Sequence, residues 1–157
     1  MIDPIDQALH ALFRELLLLH DAADKHVLAQ HGLRRARYFV LHHLYHEAGL
    51  TLGQLSELTL IYSASASRIV YSMEQEGLVQ RVVNESDRRL FTLSLTEKGR
   101  RFYERVSADL AADVQARYQG LDAGAKLALL EDSRRLRDML REHCRWQVES
   151  GAASASG

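Results

Sequence analysis

The sequence predicts a mainly α fold with a small β-wing: a winged helix-turn-helix flanked by N- and C-terminal dimerisation helices. Three observations carry this. Leu52, Leu55 and Leu58 mark a short helix, and after a turn Ala66, Ile69, Val70 and Met73 repeat at the i, i+3, i+4, i+7 spacing of a second helix's buried stripe. Gly77 stops that helix. Leu78–Val83 and Leu90–Leu95 then read as two strands, the second with Phe91, Leu93 and Leu95 on one face and Thr92 and Ser94 on the other. The polar segment Asn84–Arg89 between them is a hairpin loop carrying two guanidiniums. A helix with a small, polar outer face beside an arginine-tipped wing suits a groove of DNA.

Before this region, Ile5, Leu9, Leu12, Phe13, Leu16, Leu17, His20, Ala23 and Val27 continue a helical stripe for about seven turns, ended by Gly32. After it, Thr96 is the expected N-cap of a helix lined by Phe102, Val106, Leu110 and Val114 and ending near Gly120. A last helix, from about Ala123 to Glu149, is expected to bury Leu129, Leu136, Leu140 and Cys144. Helices this long exceed what one small core can cover, so their stripes are expected to meet those of a second copy, giving a two-fold homodimer. The expected organisation is an N-terminal dimerisation helix over 1–32, a DNA-binding lobe over 33–96, C-terminal dimerisation helices over 97–149 and a flexible tail over 150–157.

Composition bounds the function. The 157 residues are 46% hydrophobic and 26% charged, which fits one globular domain with a real core. No apolar run reaches membrane-spanning length, and Met1–Asp6 lacks the layout of a signal peptide, so a cytoplasmic location and no membrane partner are expected. The single cysteine, Cys144, excludes an intramolecular disulfide and a cysteine-rich zinc module. The net charge is −1, but Leu33–Arg105 holds eleven Lys and Arg against eight Asp and Glu, so positive charge gathers where the helix-turn-helix lies. No Gly-rich phosphate loop, recognisable nucleophile motif or complete metal-binding set supports an enzyme, and no cofactor is expected.

From about Gly32 to Glu104 the chain resembles the multiple antibiotic resistance regulator (MarR) family of transcription factors. The resemblance rests on the wing pattern Asp87-x-Arg89-x-x-x-Leu93-x-Leu95-Thr96-x-x-Gly99 and on the helix Ser63–Val79, with Arg68 and the Gly77-Leu78-Val79 ending in their expected places. It implies double-stranded DNA as partner, a homodimer on an inverted repeat, repression by occluding a promoter, and a small aromatic or phenolic effector bound between the dimerisation helices and the DNA-binding lobe.

Candidate DNA-binding residues are Ser63, Ser65, Ser67 and Arg68 on the recognition helix, Arg88 and Arg89 on the wing, and Arg34, Arg35 and Arg37 at the start of the helix that precedes the motif. The serines either bond to DNA or cap and solvate the helix start. The first turn lacks Lys, Asn and Gln, so specificity is expected from groove shape, with Arg89 and Arg88 entering a narrow minor groove. Arg34, Arg35 and Arg37 either reach phosphates or snorkel on the surface. The resemblance implies that Asp87 braces the wing through Arg89 or Arg68; an Asx-turn role is the alternative. For the effector, the candidates are Phe13, Tyr38, His42, Tyr45, His46 and Tyr103, which suit a small aromatic molecule and an ordinary core alike. His42 and His46, one turn apart, make a zinc-responsive regulator an alternative. Two ligands fall short of the three or four that zinc needs, however, so no metal is assigned. A further alternative is a winged helix that binds another protein. Cys144 reads either as a structural thiol or as one half of an intersubunit disulfide.

Overall fold

The computed structural model describes residues 3–83 and 91–154, with side chains as far as residue 143. Helix α1 (Pro4–Gln30) starts at Asp3, whose carboxylate accepts from the Ile5 N–H at 2.8 Å, and proline occupies the first turn, where its missing N–H costs nothing. It ends at Gly32 (φ 65°), where the N–H groups of Gly32 and Leu33 turn back to the carbonyls of Ala29 and Leu28. That closure drives Leu33 into the core and sets the direction of α2 (Arg35–His46), whose buried face is Val40, Leu41 and Leu44.

A capping box on Thr51 and Gln54 opens α3 (Leu52–Thr59). Leu60 closes it in the left-handed conformation, and α4 (Ser63–Gln75) follows, burying Ala66, Val70 and Met73 as the spacing predicts. Beyond Gly77, β1 (Val79–Val83) pairs antiparallel with β2 (Phe91–Leu95), from Val79 opposite Leu95 to Val83 opposite Phe91. Leu50 bridges to Leu93, so the segment before α3 lies on the outer side of β2.

Thr96 and Gly99 fix the start of α5 (Glu97–Arg117). The Thr96 hydroxyl donates to the Gly77 carbonyl at 2.6 Å and accepts from the Gly99 N–H at 3.0 Å, which confirms it as an N-cap. A Cβ on Gly99 would sit 2.0 Å from the Leu78 carbonyl oxygen, so only glycine allows α5 to lie this close to the main chain that leads into β1. The buried face of α5 is Gly99, Tyr103, Val106 and Leu110; Phe102 is half-buried and Val114 is exposed. The period of the expected stripe is right, but its start is corrected by one residue.

The chain forms two compact units, residues 1–113 and 114–157. The core of the first gathers Val27 and Leu28 of α1, the buried faces of α2, α3 and α4, Leu93 and Leu95 of β2, and Tyr103, Val106 and Leu110 of α5. The second holds the end of α5 and α6 (Ala123–Ser154), which begins where Asp122 accepts from the Ala125 N–H at 2.8 Å. One expectation changes here. Helix α6 runs to Ser154, beyond the expected end at Glu149. Leu129 and Leu140 are 50% and 53% exposed in the single chain, which leaves their expected cover, a second copy, untested.

Candidate nucleic-acid interface

Helix α4 is held by its apolar side, with Ala66, Val70 and Met73 fully buried, which leaves its opposite edge to solvent. Ser63, Ala64, Arg68, Tyr71 and Gln75 are exposed along that edge, while Ser65 and Ser67 are half-buried beside it. Arg68 folds back along its own helix, its Nε donating to the Ala64 carbonyl at 3.3 Å, so the rest of the guanidinium remains available at the first turn. Two aromatic residues that the sequence reading passed over lie on this edge: Tyr62 at the N-cap is 89% exposed and Tyr71 is 61% exposed. The signal for them was available, since Tyr71 is one helical turn from Arg68.

Carboxylates near the far end of α4 order the arginines around it. Arg81 of β1 donates from Nε to both carboxylate oxygens of Glu74, at 2.9 and 3.1 Å, which ties the root of the wing to the helix. Glu76 accepts from Nη2 of Arg37, and this charge-assisted bond together with Ser72 holds the carboxyl below the usual carboxylate range. Arg35 sits 2.9 Å from Asp21 of α1. Of the three arginines at the head of α2, therefore, Arg35 and Arg37 face carboxylates and Arg34 stands exposed as the N-cap residue. Asp87, Arg88 and Arg89 lie outside the described residues, as does the side chain of Cys144.

The expected pocket residues divide. Tyr38, His42, Tyr45, His46 and Tyr103 meet between α2 and α5, with Tyr38 stacked on Tyr103 (centroids 5.9 Å apart) and Tyr45 4.5 Å from Tyr103. The Tyr103 hydroxyl lies 2.8 Å from Nδ1 of His42 and 3.4 Å from Nε2 of His46. Burial, then the neighbouring His46 and His43, lowers the pKa of His42; burial and its contact with Tyr103 push Tyr38 up to about 12. Phe13, half-buried on α1, stands outside these ring contacts. His42 and His46 face each other at 4.6 Å, but among the described residues no three His, Cys, Asp or Glu side chains gather as a metal site would require.

A sequence profile described as MarR family matches residues 31–90. The helix-turn-helix-type transcriptional regulator MhqR of Bacillus subtilis (strain 168) is 32% identical over 103 residues, covering 66% of this chain and 70% of that protein. Among solved structures, the transcriptional repressor CouR bound to a 23-mer DNA duplex matches with a TM-score of 0.76 at 23% identity, over 87% of this chain and 97% of that one. BpsR of Bordetella bronchiseptica, described with a mechanism for regulation of its DNA binding by 6-hydroxynicotinic acid, matches with a TM-score of 0.72 at 22% identity, over 82% and 92%. At these identities the structural likenesses establish the winged-helix fold.

Proposed function

Because the chain belongs to the MarR family of DNA-binding transcription regulators, we propose that it is a repressor that grips an inverted-repeat operator as a homodimer and is released by a small aromatic or phenolic effector. The observation that carries the DNA reading is α4 itself: one side is sunk in the core while Ser63, Ala64 and Arg68 stand free at its start. A helix fixed from behind presents its first turn to a major groove without paying to become ordered. In this reading Arg68 and Arg34 contact DNA, the wing residues Arg88 and Arg89 enter the minor groove, and Asp87 braces the wing. The serines contribute less, since Ser65 and Ser67 are half-buried.

The homodimer is supported by α1, whose Leu9, Leu12 and Leu16 are 45%, 51% and 38% exposed in the single chain along a continuous stripe. Two recognition helices related by a two-fold axis would meet successive major grooves about 34 Å apart. The effector reading is supported by the tyrosine and histidine cluster between α2 and α5, which offers flat apolar surfaces and polar tips. An effector releases DNA only by preferring the conformation that binds DNA badly, typically by about 1 to 3 kcal/mol of coupling.

The test is a fluorescence-anisotropy titration of the protein against the duplex upstream of its own gene and a scrambled duplex, at several salt concentrations. Binding of the upstream duplex at least about tenfold more tightly, weakening as salt rises, is the expected result. Candidate phenols, and zinc against chelator, are then added to the preformed complex. Failure to bind either duplex at low salt would overturn the DNA reading in favour of a protein-interaction module.

A further inference from the structure

A recess in the first unit lies apart from the residues assigned to DNA and effector above. It lies where the end of α1, the head of α2, the end of α4 and the start of α5 come together, and its volume is about 320 Å³. Leu33, Leu78 and Phe102 give it an apolar floor, and Arg37, Lys98 and Arg105 surround that floor. Among the described residues that line it, Glu76 is the only carboxylate. The remaining titratable group, His31, has its Nε2 2.8 Å from Asp109 Oδ2. The fixed charges of the lining therefore leave an excess of two positive charges.

None of the three cations is saturated. Arg37 gives Nη2 to Glu76, but its Nε is buried with no hydrogen-bond partner among the described residues, an expensive state for a donor unless something reaches it. Lys98 donates to the Glu76 main-chain carbonyl at 2.7 Å, which uses one of its three N–H groups. The Arg105 guanidinium lies 5.8 Å from the centre of the Phe102 ring, a cation over the apolar floor. A single carboxylate ligand would balance half of the excess charge; a dianionic head balances all of it.

We propose that this recess binds a small phosphate monoester, its head meeting Lys98 and Arg105 and competing with Glu76 for Arg37, its apolar body lying on Phe102 and Leu78. Occupancy is felt at α4, because the ligand takes over the arginine that otherwise holds Glu76 at the helix's end. This coupling rests on the reading of α4 as the recognition helix; the binding itself does not.

The experiment is isothermal titration calorimetry of the full chain with phenyl phosphate, phenyl sulfate, phenol and inorganic phosphate. Phenyl phosphate is expected to bind about tenfold or more tightly than its singly charged sulfate counterpart and than inorganic phosphate, and any heat from phenol, which lacks the anionic head, should be the same in Lys98→Gln and Arg105→Gln as in the wild type. Lys98→Gln and Arg105→Gln should each weaken phenyl phosphate binding about tenfold, and Glu76→Gln, which frees Arg37, should tighten it. Arg68→Gln, on the proposed DNA face, should leave it unchanged. Equal affinity for phosphate and sulfate esters, or loss of binding in Arg68→Gln but not in Lys98→Gln, would overturn the site. Equal affinity for phenyl and inorganic phosphate would overturn the role of the apolar floor. For the coupling, saturating phenyl phosphate should weaken duplex binding by the wild type and not by Glu76→Gln; an unchanged wild type overturns the coupling alone. If no duplex binds at all, the DNA reading fails while the calorimetry still decides the site.

Discussion

Helices α1 and α4 are both amphipathic, yet only one completes its burial within the chain. The apolar face of α4 closes to zero exposure at Ala66, Val70 and Met73, whereas α1 leaves Leu12, Leu16 and Leu17 at 51%, 38% and 67%. On α1 only the last turns, at Val27 and Leu28, join the core. The difference teaches that periodic spacing tells which face of a helix must be covered, but not what covers it. In α4 the cover is the helix's own lobe; in α1 a second molecule supplies it on our reading.

The most damaging test of that contrast is the double substitution Leu12→Gln, Leu16→Gln. If α1 packs against a copy of itself, four leucines leave the interface of each dimer, costing about 6 kcal/mol at about 1.5 kcal/mol each. Sedimentation velocity should then show a monomer that keeps its helical circular dichroism. An unshifted dimer would place the interface elsewhere. Gly99→Ala strikes the other region, where the new methyl collides with the Leu78 carbonyl rather than with a movable side chain. A loss of about 3 kcal/mol in urea unfolding is expected. A wild-type midpoint would show that α5 can slide away from β1.

Smaller effects sharpen the same picture inside the first unit. Thr96→Ala removes the N-cap of α5 and its bond to Gly77, for about 1 kcal/mol in the same assay. The pH dependence is weaker still. Burial keeps His42 neutral in the folded chain below its ordinary value of 6.5, so the unfolded chain takes up a proton first as pH falls. Stability should decline as pH falls below 6.5, with a shallow slope because His42 is only partly buried, and His42→Gln should reduce that slope. A slope unaltered by the substitution would assign the titration to other groups.

The winged helix was legible because its signals are local. Thr96 and Gly99 stand three residues apart and serve one contact, the N-cap that lets α5 start against β1, so a short motif captures them. The face of α4 was legible for the same reason, as its burial follows its own period. What escaped was the product of distant pairing. Arg37 and Glu76 are 39 residues apart, and nothing near Arg37 says that its guanidinium is met by a carboxylate at the end of α4. Val106 and Leu110 of the α5 stripe are buried as expected, and only its first residue differs, because Phe102 and Tyr103 are both apolar enough to start it. Only the packing of Tyr103 against the rings of α2, with Phe102 left beneath Arg105, decides between them. The aromatics of α2 and α5 expected around an effector do lie together, while Phe13 makes no ring contact with them among the described residues, since a helical stripe gives no distance to a neighbouring element.

Leu60 offers a practical opening. It holds φ 55° with no glycine to make that angle cheap, and its side chain is 91% exposed, so the residue costs stability without contributing burial. Leu60→Gly would recover about 1 kcal/mol at the turn. That reserve makes a useful parental background for engineering, in which damaging substitutions on the exposed edge of α4 can be purified and assayed instead of being lost to aggregation.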